Sequence, residues 1–225
     1  MTFVLIPGAG GNASYWRELV AELESRGHDA IAVDIAQDDR ALGLPEYAEL
    51  VEAAIGDHPD PVVVAQSLGG FTAPMVRRPV RMIVLLNAMI PLPGETPGEW
   101  WGATGSDSAR RAAEGAAGRD PEFDEERTFF HDLSDDVRAQ MELDPQPRAP
   151  ADTIWDQPCD IDRWPDVPTR VVVGRDDRLF PWEFQQRISR ERLGIEADLL
   201  PGGHLLAKSR PVELADLLEH YVASA

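Results

Sequence analysis

The chain has 225 residues, 43% of them hydrophobic, which suits one sizeable domain with a substantial core. Its net charge of −19 at pH 7 argues against nucleic acid and anionic membrane surfaces, both of which select basic protein faces. A single cysteine, Cys159, leaves no disulfide within the chain and no cysteine-based metal site.

Thr2 to Ile6 predicts a buried strand. The start Met1-Thr2-Phe3-Val4-Leu5-Ile6 has no basic segment and breaks at Pro7-Gly8, unlike a signal peptide. No apolar run approaches the ~20 residues of a membrane span. The expected location is therefore cytoplasmic. Pro7 to Asn12 is a glycine-rich loop. Tyr15 to Arg26 has Trp16, Leu19, Val20 and Leu23 on one face, a helix with Ser14 as N-cap and Gly27 as its stop. Ala30 to Val33 is a second strand and Leu44 to Ile55 a second helix, with Pro45 early, where proline is tolerated. Pro61 to Val64 is a third strand. Ala65-Gln66-Ser67-Leu68-Gly69 turns from it into a helix over Gly70 to Val76, where Pro74 predicts a kink. Arg81 to Leu86 is a fourth strand.

The rhythm breaks from Asn87 to about Pro168, where prolines and acidic residues are dense. Helical stretches are expected at Asp107 to Glu114, Glu122 to Phe130 and Asp135 to Leu143. The aromatics of this segment argue for an ordered helical cap over residues 89–165, inserted in a core of residues 1–88 and 166–225. The rhythm returns with a strand at Thr169 to Val173, a helix at Pro181 to Arg192, a strand at Ala197 to Leu200 and a helix at Pro211 to Val222. Apolar strands alternating with helices predict an α/β fold: a six-stranded, mostly parallel sheet with helices on both faces.

In such sheets functional groups gather beyond the carboxyl ends of the strands. Ser67 lies in a turn whose flanking positions, Ala65 and Gly69, are small, as an exposed nucleophilic serine requires. Asp177 follows the fifth strand and His204 the sixth. A serine hydroxyl needs a histidine to take its proton, and the histidine needs a carboxylate to fix its tautomer. An oxyanion needs two backbone donors, for which Leu68 and Ala9 are the candidates. Taken singly, each has a plainer reading: an N-cap serine, a loop histidine, a helix-capping aspartate. Gly8-Ala9-Gly10-Gly11 also matches a nucleotide-binding turn poorly, because Ala13 stands at the last glycine of that spacing.

Phe3-Val4-Leu5-Ile6 with Trp16, then Ser67-Leu68-Gly69-Gly70, Asp177 with Glu183-Phe184-Gln185, and Gly202-Gly203-His204 together resemble the α/β-hydrolase superfamily. Within it, the chain is similar to the plant methylesterase and hydroxynitrile lyase branch and its bacterial relatives. The resemblance covers nearly all the core and only vaguely the cap. It implies the triad Ser67, Asp177 and His204, with Asp177 preferred to Asp176. It implies a carboxylesterase-like serine hydrolase acting on a small or medium carboxylic ester; a monomer or homodimer with no metal or organic cofactor is expected. Pro7 and Gln66 stand where that branch often has histidines. Its lyases carry a threonine and a lysine at positions that resemble Gly8 and Leu205, so hydrolysis is favoured here. A non-hydrolytic lyase or cyclase and a slow-turnover binding protein stay open on the same scaffold. Gly8, Gln66, Trp100, His131, Leu179 and Leu205 are the candidate substrate contacts, and His131 has the plainer reading of a surface or capping histidine.

Overall fold

A computed structural model of the chain describes residues 1–224. In chain order, β1 (Thr2–Ile6) leads to α1 (Arg17–Ser25), β2 (Asp29–Ala32), α2 (Leu44–Ile55), β3 (Val62–Gln66), α3 (Gly69–Thr72) and β4 (Met82–Leu86). Four helices follow without a strand: α4 (Pro97–Thr104), α5 (Ser106–Ala116), α6 (Glu125–Phe129) and α7 (Asp135–Leu143). Then come β5 (Thr169–Gly174), α8 (Trp182–Leu193), β6 (Asp198–Leu200), α9 (Leu206–Ser209) and α10 (Pro211–Ala223).

The six strands form one sheet in the order β2-β1-β3-β4-β5-β6, and every pairing is parallel. Side chains alternate between its two faces. Val4, Ile6, Val63, Ala65, Ile83 and Leu85 pack with α2 and α8 on one side. Phe3, Leu5, Val62, Val64, Val84 and Leu86 pack with α1 and α10 on the other. With both faces covered, the central strands are apolar throughout. The chain runs outward from β1 to β2, then returns to the other side of β1 for β3. The strand order therefore reverses between β1 and β3, and the crevice beyond their carboxyl ends is where such sheets bind ligands.

Several element ends differ from the sequence expectation for local reasons. The first helix opens with a 3₁₀ turn over Ala13–Trp16. Asn12, rather than Ser14, caps it by accepting the Ser14 N–H at 3.1 Å. Past Thr72 the helix tightens to a 3₁₀ turn at Ala73–Met75, where Pro74 has no N–H to continue the α-helical ladder. Helix α4 lies outside the expected helical stretches, because in the sequence Pro97 reads as a break. It is instead the first helical residue, behind a reciprocal cap in which Thr96 Oγ1 accepts the Glu99 N–H at 3.1 Å and Glu99 accepts the Thr96 N–H at 3.0 Å.

The long excursion between β4 and β5 is closed at its stem. Gly94 N–H donates to Cys159 O, and Cys159 N–H to Glu95 O, each at 2.9 Å. The Glu95 carboxylate forms a bidentate pair with Arg192 of α8, at 2.9 Å for one of its two bonds, and both side chains are under a tenth exposed. Arg192 also donates to Ile90 O at 2.6 Å. No helix among the described residues is long and apolar enough to cross a membrane.

Removing one partner of a buried, hydrogen-bonded ion pair strands the other charge. Glu95→Ala is therefore expected to destabilise the protein by about 3 kcal/mol, a fall in Tm of roughly 6–12 °C for a chain of this size. Thermal unfolding followed by circular dichroism measures it; an unchanged Tm would mean that the ion pair does not hold the stem.

Candidate active site

Ser67 follows directly on β3, and its backbone is left-handed, with φ +50°. This conformation is strained for a side chain other than glycine, asparagine or aspartate. Three hydrogen bonds hold it. The Ser67 N–H donates to Leu86 O at 3.3 Å, and its carbonyl accepts the N–H of Gly70 at 3.0 Å and of Met89 at 2.9 Å. Close packing does the rest. A Cβ on Gly69 would stand 2.8 Å from Pro7 O, and one on Gly70 would collide with Met89 O. The turn thus fits only between β1 and the β4 exit because those two positions are bare.

Asp177 and His204 come from the ends of β5 and β6. His204 Nδ1 and Asp177 Oδ2 are 2.8 Å apart, and both side chains are almost wholly buried. The other carboxylate oxygen of Asp177 accepts the N–H of Leu179 at 2.8 Å and of Phe180 at 3.0 Å. The carboxylate is thereby fixed in rotamer as well as in place. Asp176 points elsewhere: its Oδ2 accepts the Gly202 N–H at 3.1 Å. The imidazole lies between two aromatic rings, Phe129 and Phe180, each with its centroid 5.4 Å from that of His204.

Two residues not singled out from sequence hold the histidine loop. Asn87, fully buried at the end of β4 with φ +44°, donates from Nδ2 to Gly203 O and His204 O, both at 3.0 Å. Its Oδ1 accepts the Gly174 N–H at 2.7 Å. Asp132, from the excursion, accepts the Gly203 N–H at 2.7 Å. Only the left-handed preference of asparagine could have drawn attention to Asn87 beforehand.

Ser67 and His204 line one cavity of about 510 Å³, together with Gly8, Ala9, Gln66, Leu68, Leu179 and Leu205. Two other candidate contacts lie elsewhere. Trp100 is completely buried, donates from its indole to Ile90 O at 3.1 Å and packs against Phe180 and Phe184. Its neighbour Trp101 is the one that reaches the cavity. His131 lines a separate pocket behind Asp177, where burial and the Arg178 guanidinium hold its imidazole below the ordinary histidine range. The excursion lends the cavity the aromatic side chains of Phe123, Phe129, Phe130 and Trp155, and also the charged Asp107, Arg110, Glu125 and Asp144, which sequence reasoning did not assign to the site. Among the described residues, no three His, Cys, Asp or Glu side chains converge as a metal site.

Comparison with known proteins agrees with this architecture. Over 96% of its length the chain is 25% identical to a probable hydrolase of Phoma sp., covering 95% of that protein. Among solved structures, polyneuridine aldehyde esterase superposes with a TM-score of 0.75 at 19% identity, over 98% of each chain. An extracellular alpha/beta-hydrolase from a Paenibacillus species gives 0.74 at 21% identity, over 98% of each chain. A methylesterase from Arabidopsis gives 0.74 at 18% identity, over the whole of both chains. These likenesses show a shared fold. The model of the alpha/beta hydrolase family matches residues 3–217, and the chain belongs to that family.

Proposed function

We propose that the protein is a serine hydrolase of carboxylic esters, working through Ser67, His204 and Asp177. The observation that carries the reading is the buried 2.8 Å contact between His204 Nδ1 and Asp177, with His204 lining the same cavity as a serine on a left-handed backbone. The esterases among the fold relatives support an ester substrate, and the probable hydrolase of Phoma sp. supports hydrolysis.

The Asp177 carboxylate accepts the Nδ1 proton and leaves Nε2 as the base. Ser67 Oγ attacks the ester carbonyl as His204 Nε2 takes its proton. The carbonyl oxygen becomes an anion held by the Ala9 and Leu68 N–H groups. Leu68 stands at the start of α3, where backbone donors are free of helical partners. Collapse of the intermediate expels the alcohol, which takes the proton from His204, and leaves an ester on Ser67. Water then attacks, His204 again serving as base, and releases the carboxylic acid.

The excursion over residues 89–165 acts in this reading as a cap. Its aromatic side chains enclose the substrate beside the triad, which favours an acyl or alcohol part of apolar character and medium size. Lactones and thioesters are the nearest competing substrates, since they undergo the same addition and elimination.

Ser67→Ala is expected to lower kcat on p-nitrophenyl esters by roughly 10⁴ to 10⁶, because triad members act as a unit. Its Tm should stay close to that of the parent protein, since one hydroxyl facing a cavity leaves no void in the core. Comparable turnover by both proteins would reject the nucleophile.

Asp177→Asn keeps the shape but offers His204 an amide that can donate, so the imidazole settles in the wrong tautomer. A loss of about 10⁴ in kcat is expected, with KM little changed. Steady-state kinetics on the same ester would expose a smaller role for the carboxylate as a loss of less than about tenfold.

A further inference from the structure

We propose that Gln37 is a positioning residue that aims the Ala9 N–H at the reacting carbonyl; the inference rests on the serine-hydrolase reading above. Gln37 lies beyond β2, outside the triad and the cavity wall, and only 1% of it is exposed. Its side-chain amide spans the glycine-rich loop. Nε2 donates to Gly8 O at 3.0 Å, and Oε1 accepts the Gly10 N–H at 2.9 Å. The two partners settle the orientation of the amide, because a carbonyl can only accept and an N–H can only donate.

The consequence follows from the planarity of the peptide. In a trans peptide the C=O of one residue and the N–H of the next point in opposite directions. Gly8 O and the Ala9 N–H belong to one such unit. With Gly8 O drawn toward Gln37, the Ala9 N–H must face away from it. Ala9 lines the cavity that holds Ser67, while Gln37 does not. The bond from Gln37 to Gly8 O, the shorter of the two that this carbonyl accepts, therefore fixes the tilt of the peptide that carries the oxyanion donor.

The loop is built for this clamp. Gly8 O also accepts the Gly11 N–H at 3.2 Å, and Gly10 has φ +95°, the third position of a type II turn. Gly8 O is therefore held by the turn's own bond and by the shorter one from Gln37, while the central peptide, between Ala9 and Gly10, is held through the Gly10 N–H by Gln37 Oε1. A Cβ on Gly11 would collide with the Gln37 side chain, so the amide lies flat against the loop. The Gln37 backbone is fixed in turn, accepting the Ala151 N–H at 2.7 Å.

The test compares Gln37→Ala, which removes both bonds, with Gln37→Glu, which keeps an acceptor for Gly10 but turns an oxygen toward Gly8 O. Ser67→Ala runs beside them. The readouts are kcat and KM on a p-nitrophenyl ester, inhibition by an alkyl trifluoromethyl ketone and by the matching methyl ketone, and Tm. The trifluoromethyl ketone adds to the serine and places an oxyanion in the hole, whereas the methyl ketone binds mainly as a ground-state mimic.

Both variants should lose roughly 10- to 100-fold in kcat, with KM held within about threefold. Trifluoromethyl ketone inhibition should weaken by a matching factor while methyl ketone inhibition stays level. Unchanged kcat in either variant overturns the proposal. So does a loss shared equally by kcat, KM and both ketones, or failure of both variants to fold, since each assigns Gln37 to packing alone. If Ser67→Ala retains full activity, it is the hydrolase reading that fails, whatever the Gln37 variants do.

Discussion

The left-handed backbone of Ser67 is the constraint on which the rest of the structure depends. It costs the chain on the order of 1 kcal/mol or more, and the surroundings must over-determine it. They do so through the N–H and carbonyl bonds to Leu86, Gly70 and Met89 and through two bare positions, Gly69 and Gly70. Contact at these glycines is with backbone oxygens of Pro7 and Met89, which cannot turn aside as side chains can. β1, the turn at Ser67 and the β4 exit are therefore fitted to one another as backbone. Any shift of one would carry the serine with it.

Around this fixed point, the other loops are joined by side-chain amides and carboxylates reaching backbone groups. Asn87 joins the exits of β4, β5 and β6, and Gln37 joins the region beyond β2 to that beyond β1. Each is buried, so each bond forms where water cannot compete and an unmade bond is expensive. Rigid strands deliver the loops to the same end of the sheet. These polar crossbars then set the loops relative to one another more finely than strand packing alone.

The core and the order of the strand-end residues were legible in the sequence because their signals are local. Runs such as Val62-Val63-Val64 mark a strand buried on both faces, and the strand-to-turn steps at Ser67, Asp177 and His204 follow directly. Asn87 and Gln37 were not legible. Their partners are main-chain atoms more than eighty and nearly thirty residues away respectively, and nothing beside either residue hints at them. Trp100 and Trp101 show a second limit. Neighbours on a helix diverge by about 100° around its axis, so the pair alone cannot say which ring faces the cavity and which the core. Pro97 shows a third, since proline both ends helices and begins them, and only the Thr96 and Glu99 pairing decides.

The final segment of the excursion makes backbone contact with the glycine-rich loop. The Arg148 N–H donates to Gly10 O at 2.9 Å, and the Ala151 N–H reaches Gln37 O. Asn12 adds a bond to Pro145 O at 2.9 Å. The excursion is thus not a module that rests on the hydrolase core and can be exchanged for another. A chimera that replaced it at the stem near Gly94 and Cys159 would remove two supports of the loop beyond β1 and the one that holds the Gln37 backbone. Recombination between relatives would preserve these contacts only by carrying the loop, Gln37 and the 145–151 segment as one inherited unit, although they lie far apart in the chain.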